Sequence, residues 1–337
     1  MAEFYNNAIK QRYLEGIKNE HSRQTISYIF TASRGAEENV LGTDLYNFSK
    51  EDIEKVLSNM NCLTYNSARS NTNFIKNYIS WAISNGYREN NLHPLDGIDK
   101  KWMNKFVDKT TKIHYSDEEF YDLLEELPNA QDQALLYLIF EGISGSSFSQ
   151  LQALTYNDIN WNKNEVYVKE RDESIELTDA GMRYLENAYK AATYRYFDSE
   201  TGDHKERDLL NSDYLFKNPK SPRTKTENLP VTTATLYNRL NNIRNEFLLQ
   251  HLTPISIKQS GMIHTAAKIL QEKIANGEDP KLSREDIKVI GDKYQASKVE
   301  NREYSYYNRS LMKQFINAEK LKELYGIDFI EFGSDSD

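Results

Sequence analysis

Apolar residues in the first hundred positions recur every three to four residues, the spacing of one helix face. The segments "EFYNNAIKQRYLEGI" and "RQTISYIFTAS" carry this pattern with a short polar break between them. "SKEDIEKVLSNM" opens with Ser49 as an N-cap and has Asp52 three residues on, close to a capping box. "TYNSARSNTNFIKNYISWAISNGY" predicts a longer helix, with Phe74, Ile75, Tyr78, Ile79, Ala82 and Ile83 as its apolar stripe and Gly86 as a C-terminal cap. Arg69 and Lys76 lie two turns apart on it and share a face. The expectation is a compact helical unit over residues 1–96.

Periodicity then fades. Residues 97–115 carry Gly and a lysine run and read as a linker with room for one short helix. Ser116 caps "DEEFYDLLEEL", which Pro128 ends, and 132–143 is apolar on all sides, hence a buried helix. A short helix, "FSQLQAL", precedes the one clear β signal, the alternating "NEVYVKERDESIELT", which predicts a hairpin. "DAGMRYLENAYKAATY" predicts a helix, "DSETGDHKERD" a polar loop, "SDYLF" a short strand and "KNPKSPRTKTENLP" a basic loop. Helices are expected at 233–248, 256–275, 283–294 and 299–325. The fold class is mainly α with a small β-hairpin or sheet, in two domains (1–96 and 116–330), followed by an acidic tail, 331–337.

The 337 residues suffice for two domains, and 39% apolar content supports a core in each. The lone cysteine, Cys62, forms no internal disulfide, which suits a reducing cytoplasm. No run of 18 apolar residues and no signal-like N-terminus occurs, so no membrane partner is expected. The formal charge of −9 argues against nucleic acid, but its distribution does not. From Lys55 to Arg88 there are four basic residues and no acid, and from Lys217 to Lys268 eight basic residues stand against Glu227 and Glu246. Two cationic stretches, one in each half, fit one polyanion. The six histidines form no HExxH pair or Cys/His cluster, and no phosphate loop or GxSxG is present, so no metal or cofactor is implied.

One strip carries the remaining chemistry. "TPISIKQSGMIHTAAKIL" places Lys258 and Gln259 near a helix start with no carboxylate beside them. Together with "EGISGSSFSQLQALTYNDINW" and the hairpin, the order of elements resembles the tyrosine recombinase (phage integrase) family. The match to that family's first box is best at Ser149, Gln150, Leu151, Leu154, Asp158 and Ile159. The resemblance implies a helical core-binding domain followed by a catalytic-fold domain. In that family a tyrosine attacks a DNA phosphate, two arginines fork onto the non-bridging oxygens, a histidine or tryptophan assists, and a hairpin lysine protonates the leaving oxygen.

This sequence departs from that set at most positions. Ser147 stands where the first arginine belongs, and no arginine lies between Gln133 and Val168. In the second box Ile255 replaces the histidine and Lys258 the arginine, a point charge instead of a planar fork. Asp292 falls where the later histidine or tryptophan belongs. Lys169 stands for the hairpin lysine, with Arg171 the alternative, and Tyr304, Tyr306 and Tyr307 lie where the nucleophile is expected. Within the family the pattern is most similar to the integrase-fold repressors of SPβ-type prophages, which hold lysogeny by binding DNA without cutting it.

The reading is therefore a cytoplasmic, nucleoid-associated protein of a bacterial host that binds double-stranded DNA at an operator and represses transcription. The expected DNA-binding residues are Arg69, Asn71, Asn73 and Lys76 in the first domain. In the second they are Lys217, Lys220, Arg223, Lys225, Arg239, Arg244, Lys258 and Gln259. Two alternatives stand beside it. One is an active recombinase in which Arg239 or Arg244 enters the site from another element; a covalent protein–DNA adduct marks it. The other is a protein-interaction scaffold using the acidic helix 117–127 and the tail, marked by failure to bind DNA at low salt. A protein or peptide regulator fits those acidic segments. A homo-oligomer formed by exchange of a terminal helix, here within 310–325, is what the family resemblance implies.

Overall fold

The computed structural model describes residues 4–108, 111–198, 201–221, 228–301 and 304–332, without the side chains of Asn301, Tyr304 and Glu331. The chain divides into two compact units, Met1–Lys112 and Ile113–Asp337.

The first unit is mainly helical, with α1 (Asn7–Glu15), α2 (Glu20–Ala36), α3 (Lys50–Asn59), α4 (Tyr65–Ser84) and α5 (Lys100–Asn104), and carries one isolated bridge, Cys62 to Val107. Ser49 caps α3 as its sequence predicts, its side chain accepting from the Asp52 amide. Helix α4 ends in a left-handed Gly86 (φ 72°), whose neighbour Tyr87 donates its amide back to the Ala82 carbonyl at 2.9 Å. Ile29 and Phe30 of α2, Ile53 and Leu57 of α3, and Ile75, Tyr78 and Ile79 of α4 share one core. Residues 97–108 do not trail off as a linker. Trp102 and Phe106 are buried in that same core, and Trp102 Nε1 donates to Glu54 at 2.6 Å. A large ring with a satisfied N–H gains more from burial than a flexible connection would leave it.

The second unit opens with α6 (Asp117–Glu126) and α7 (Ala130–Phe140). A capping box at Ser116 and Glu119 starts α6. Every described residue of α7 from Gln131 to Phe140 except Gln133 is buried, which makes it the axis of this unit. Then come α8 (Ser149–Ala153) and a three-stranded antiparallel sheet, β1 (Ile159–Asn160), β2 (Glu165–Val168) and β3 (Glu173–Glu176), in that spatial order, with Val166 opposite Ile175. Helix α9 (Asp179–Lys190) packs on α7. The polar stretch expected as a loop forms a second hairpin, β4 (Thr193–Asp198) with β5 (Asp203–Asp208). Strand β5 is exposed at every residue, so it carries no inside–outside alternation from which a strand is read. "SDYLF" makes only an isolated bridge, Tyr214 to Thr155.

Helices α10 (Thr233–Glu246), α11 (Pro254–Ala275) and α12 (Arg284–Lys293) match their sequence-predicted ranges to within two residues, with the short strand β6 (Lys281–Leu282) before α12. The long helix expected at 299–325 is instead a hairpin, β7 (Lys298–Asn301) and β8 (Tyr304–Tyr307), followed by α13 (Arg309–Met312) and α14 (Ala318–Tyr325). Val299 and Tyr306 pair across it, and β-branched and aromatic residues favour that setting over a helix. Ile316 and Leu321 bury against Ile263 and Ala266 of α11 within the same chain, and β9 (Glu331–Phe332) pairs in parallel with β6.

Helix α11 approaches α7 closely at Gly261, where a Cβ would stand 1.9 Å from the Phe140 carbonyl oxygen. Glycine is otherwise unfavourable in a helix interior. Gly261→Ala must push the two helices apart, and thermal unfolding of the full chain is expected to show the second unit destabilised by about 3 kcal/mol or more.

Candidate nucleic-acid interface

The Thr64 hydroxyl accepts from the Ser67 amide and fixes the start of α4. Ala68, Thr72, Ile75, Tyr78, Ile79 and Ala82 then turn one side of the helix into the core. The opposite side presents Arg69 and Asn73, both exposed, with Lys76 at its flank. Lys76 lies 3.9 Å from Asp96, a surface pair of little energetic weight. Asn71 does not share this face. It sits about 200° around the helix from Arg69, and its Nδ2 donates to the buried Cys62 sulfur at 3.4 Å. Its expected role in DNA contact gives way to a packing role.

Two cations of the second unit are also structural. Arg239 is 4% exposed and Lys217 7%. Arg239 donates to Gln131 Oε1 at 2.8 Å and to the Lys217 carbonyl at 2.7 Å, with Asp132 as its charge partner. Tyr194 and Asn129 hydrogen-bond the same carboxylate. Burial pushes Asp132 up to about 6 even so, against the pull of Arg239. Lys217 Nζ donates to the carbonyls of Tyr189 and Ala191, and burial lowers its pKa. Neither residue reaches a surface, so neither contacts a duplex as expected, and Arg239 does not enter an active site from α10. Arg244 donates to the Gln250 carbonyl at 2.8 Å and fixes the end of its helix. Lys220 remains exposed, 3.5 Å from Asp208. Arg223 and Lys225 lie outside the described residues.

Several positions matched to the integrase boxes have changed roles. Ser147 is exposed in a turn where it and Phe148 both take left-handed backbone (φ 52° and 67°), a conformation that costs about 1 kcal/mol or more per non-glycine residue. Ile255 is 69% exposed. Lys169 pairs with Asp158 at 2.8 Å. Arg171, from the turn after β2, has a side chain only 3% exposed. It donates to the carbonyls of Gly142 and Lys293, to Gln150 Oε1 at 3.1 Å and to Glu173 at 3.2 Å, while its Nε has no partner. Its fork is therefore engaged by the protein's own oxygens.

Lys258, half-buried on the second turn of α11, makes no hydrogen bond or ion pair among the described residues. Burial, and then the nearby Arg171 charge, lower its pKa. Gln259 turns inward and accepts from His114 Nε2 at 3.0 Å, so it is not the phosphate ligand expected beside Lys258. Tyr307 packs its ring on Gly291 and donates its hydroxyl to Asp292, which with burial raises its pKa. A nucleophilic tyrosine must lose that proton, and a carboxylate that holds it while repelling phosphate opposes the reaction. Tyr306 is 56% exposed, and the Tyr304 side chain lies outside the described set. These positions thus offer one unpartnered lysine point charge where the recombinase resemblance implies two arginine forks.

Two substitutions separate these roles. Arg239→Ala strands a buried carboxylate and is expected to cost about 3–5 kcal/mol of stability in a denaturant titration. Since the folded Asp132 pKa is raised, the native state takes up its proton as pH falls through about 6. The deficit should therefore be smaller at low pH, where the stranded group is neutral, than at neutral pH. Lys258→Met has the opposite sign. A lowered lysine pKa means that the charge opposes folding below that pKa, so the variant should melt about 2 °C higher.

Comparisons with known proteins agree with this layout. The model of the MrpR N-terminal core-binding domain matches residues 4–84, and that of the MrpR C-terminal catalytic domain matches residues 114–326. The SPbeta prophage-derived protein YopR of Bacillus subtilis (strain 168) is 26% identical over 277 residues, covering 80% of this chain and 83% of YopR. Among solved structures, XerA recombinase aligns over 96% of this chain and 98% of its own at 14% identity, with a TM-score of 0.40. A lambda integrase (75–356) dimer bound to a COC' core site aligns over 92% and 94% at 11% identity, with a TM-score of 0.43. Matched along both units by models of the same two domains, the chain belongs to the MrpR family.

Proposed function

We propose that the chain is a sequence-specific double-stranded DNA-binding protein, a prophage transcriptional repressor that maintains lysogeny and neither cuts nor rejoins DNA. The observation that carries this reading is the pair Lys258 and Arg171: an unpartnered lysine at the aligned second-arginine position, and a guanidinium held by backbone carbonyls. Loss of a single transition-state donor costs roughly 10²–10³ in rate, so a site without either fork retains binding and not chemistry. The prophage origin printed for YopR supports the setting, and α4, which carries Arg69 and Lys76 and no Asp or Glu of its own, supports contact with a polyanion.

The experiment pairs a salt titration with a covalent-adduct assay. In gel shifts with genomic duplex fragments, about five neutralised phosphates give a log–log salt slope near −4.5. Incubation with a nicked duplex should leave no protein–DNA adduct on a denaturing gel. An adduct lost on Tyr306→Phe would establish an active recombinase instead, and failure to bind any fragment at low salt would point to a scaffold.

A further inference from the structure

Helix α4 is built against its own propensity. Four of its twenty residues are Asn (66, 71, 73, 77) and four are Ser (67, 70, 80, 84), while Asp, Glu and Gln are absent. Solvated helix faces ordinarily carry Glu, Lys, Gln and Arg, which are better helix formers than Asn or Ser. Local structure accounts for part of the set. Ser67 lies in the cap with Thr64, Asn71 bonds the Cys62 sulfur, and Ser84 donates to the Ser80 carbonyl. It does not account for Asn73 and Asn77. Both are exposed and neither side chain makes a hydrogen bond among the described residues. They continue a row begun by Arg69, one turn apart each, and Arg69 is likewise exposed and unpartnered among the described residues. Ser70 and Ser80, which border this row, are exposed, short and polar and leave it accessible.

Resting on the DNA-binding reading above, we infer that this row reads base edges in a major groove, with Asn73 and Asn77 each recognising an A·T pair and Arg69 a G·C pair. A carboxamide donates to adenine N7 and accepts from N6 at once, and a guanidinium donates to both guanine O6 and N7. Residues one helical turn apart stand about 6 Å from each other, close to two base-pair steps, so the three contacts fall within about five base pairs. Asn77 lies one turn beyond Asn73, past the expected set of Arg69, Asn71, Asn73 and Lys76. The signal was an amide at a solvated position where a helix prefers glutamate or lysine.

The test is selection of a preferred site from a randomised duplex pool by the full chain, followed by titration of single base-pair changes with wild type, Asn73→Ala, Asn77→Ala and Lys76→Ala. Alanine favours helix at these exposed positions, so folding is preserved. The selected site should hold two A·T pairs whose replacement weakens the wild type about tenfold or more each. Each asparagine variant should lose that discrimination at one pair only, with unchanged affinity for unselected duplex. Lys76→Ala should weaken all duplexes alike. Uniform weakening by the asparagine variants, or unaltered preference in both, overturns the readout and leaves DNA binding standing, as does a wild type that binds without preference. A wild type that binds no duplex overturns the DNA-binding reading as well.

Discussion

The second unit depends on how closely α11 and α7 approach each other. Helix α7 is buried nearly all round, so any helix that packs on its C-terminal end must fit a surface with no room to yield. Gly261 makes the fit possible by removing the one atom that would strike the Phe140 carbonyl. The same missing side chain leaves space for the hydroxyl of Tyr294, which sits at the end of α12 and is bonded to Thr265 at 3.0 Å. One close approach thus sets α11 against α7 and α12 against α11. Lys258 stands one turn before that contact, so its half-buried position follows from the packing of its helix.

Charge in this unit divides according to that packing. Arg239, Lys217 and Arg171 point into the protein and bond carbonyl or amide oxygens, where a buried cation must find partners or be displaced. Lys258 is only half-buried, yet it has no such partner among the described residues. A cation left in that state opposes folding, and nothing in the packing around it compensates. On the proposed reading, that cost is offset when a phosphate oxygen meets the lysine.

Much of the architecture was legible in the sequence because burial writes a period into it. The stripe of α4, the continuous apolar run of α7 and the alternation of β2 each reflect one face or all faces leaving water. The hairpins β4–β5 and β7–β8 were less legible, because β5 is exposed throughout and imposes no alternation, while β4, β7 and β8 are short and bury few residues fully, Tyr194 among them. Trp102 and Phe106 were hidden among lysines whose charge suggested a linker. The candidate site was legible only as far as residue type allows. Alignment to the integrase boxes singled out Lys258 and Asp292, but a count of cations cannot distinguish Arg69, which faces solvent, from Arg239, which hydrogen-bonds inside the core. Their sequence contexts, short polar helical segments, are alike; only the helix side differs.

On the proposed reading, that difference reconciles an acidic chain with a polyanionic partner. The net charge of −9 spreads over the whole molecule, and at physiological ionic strength a charge acts over about 8 Å. What a duplex meets is therefore the face within that distance, not the sum. On α4 that face holds Arg69 and Lys76 with no carboxylate from the helix itself, and between them lie neutral amides and hydroxyls. For the proposed DNA-binding protein, acids placed elsewhere would limit adhesion to every polyanion, because each weakens the long-range attraction that is independent of sequence. With the cationic term held small, the proposed discrimination falls to directional hydrogen bonds, for which a helix face of amides is better suited than one of lysines.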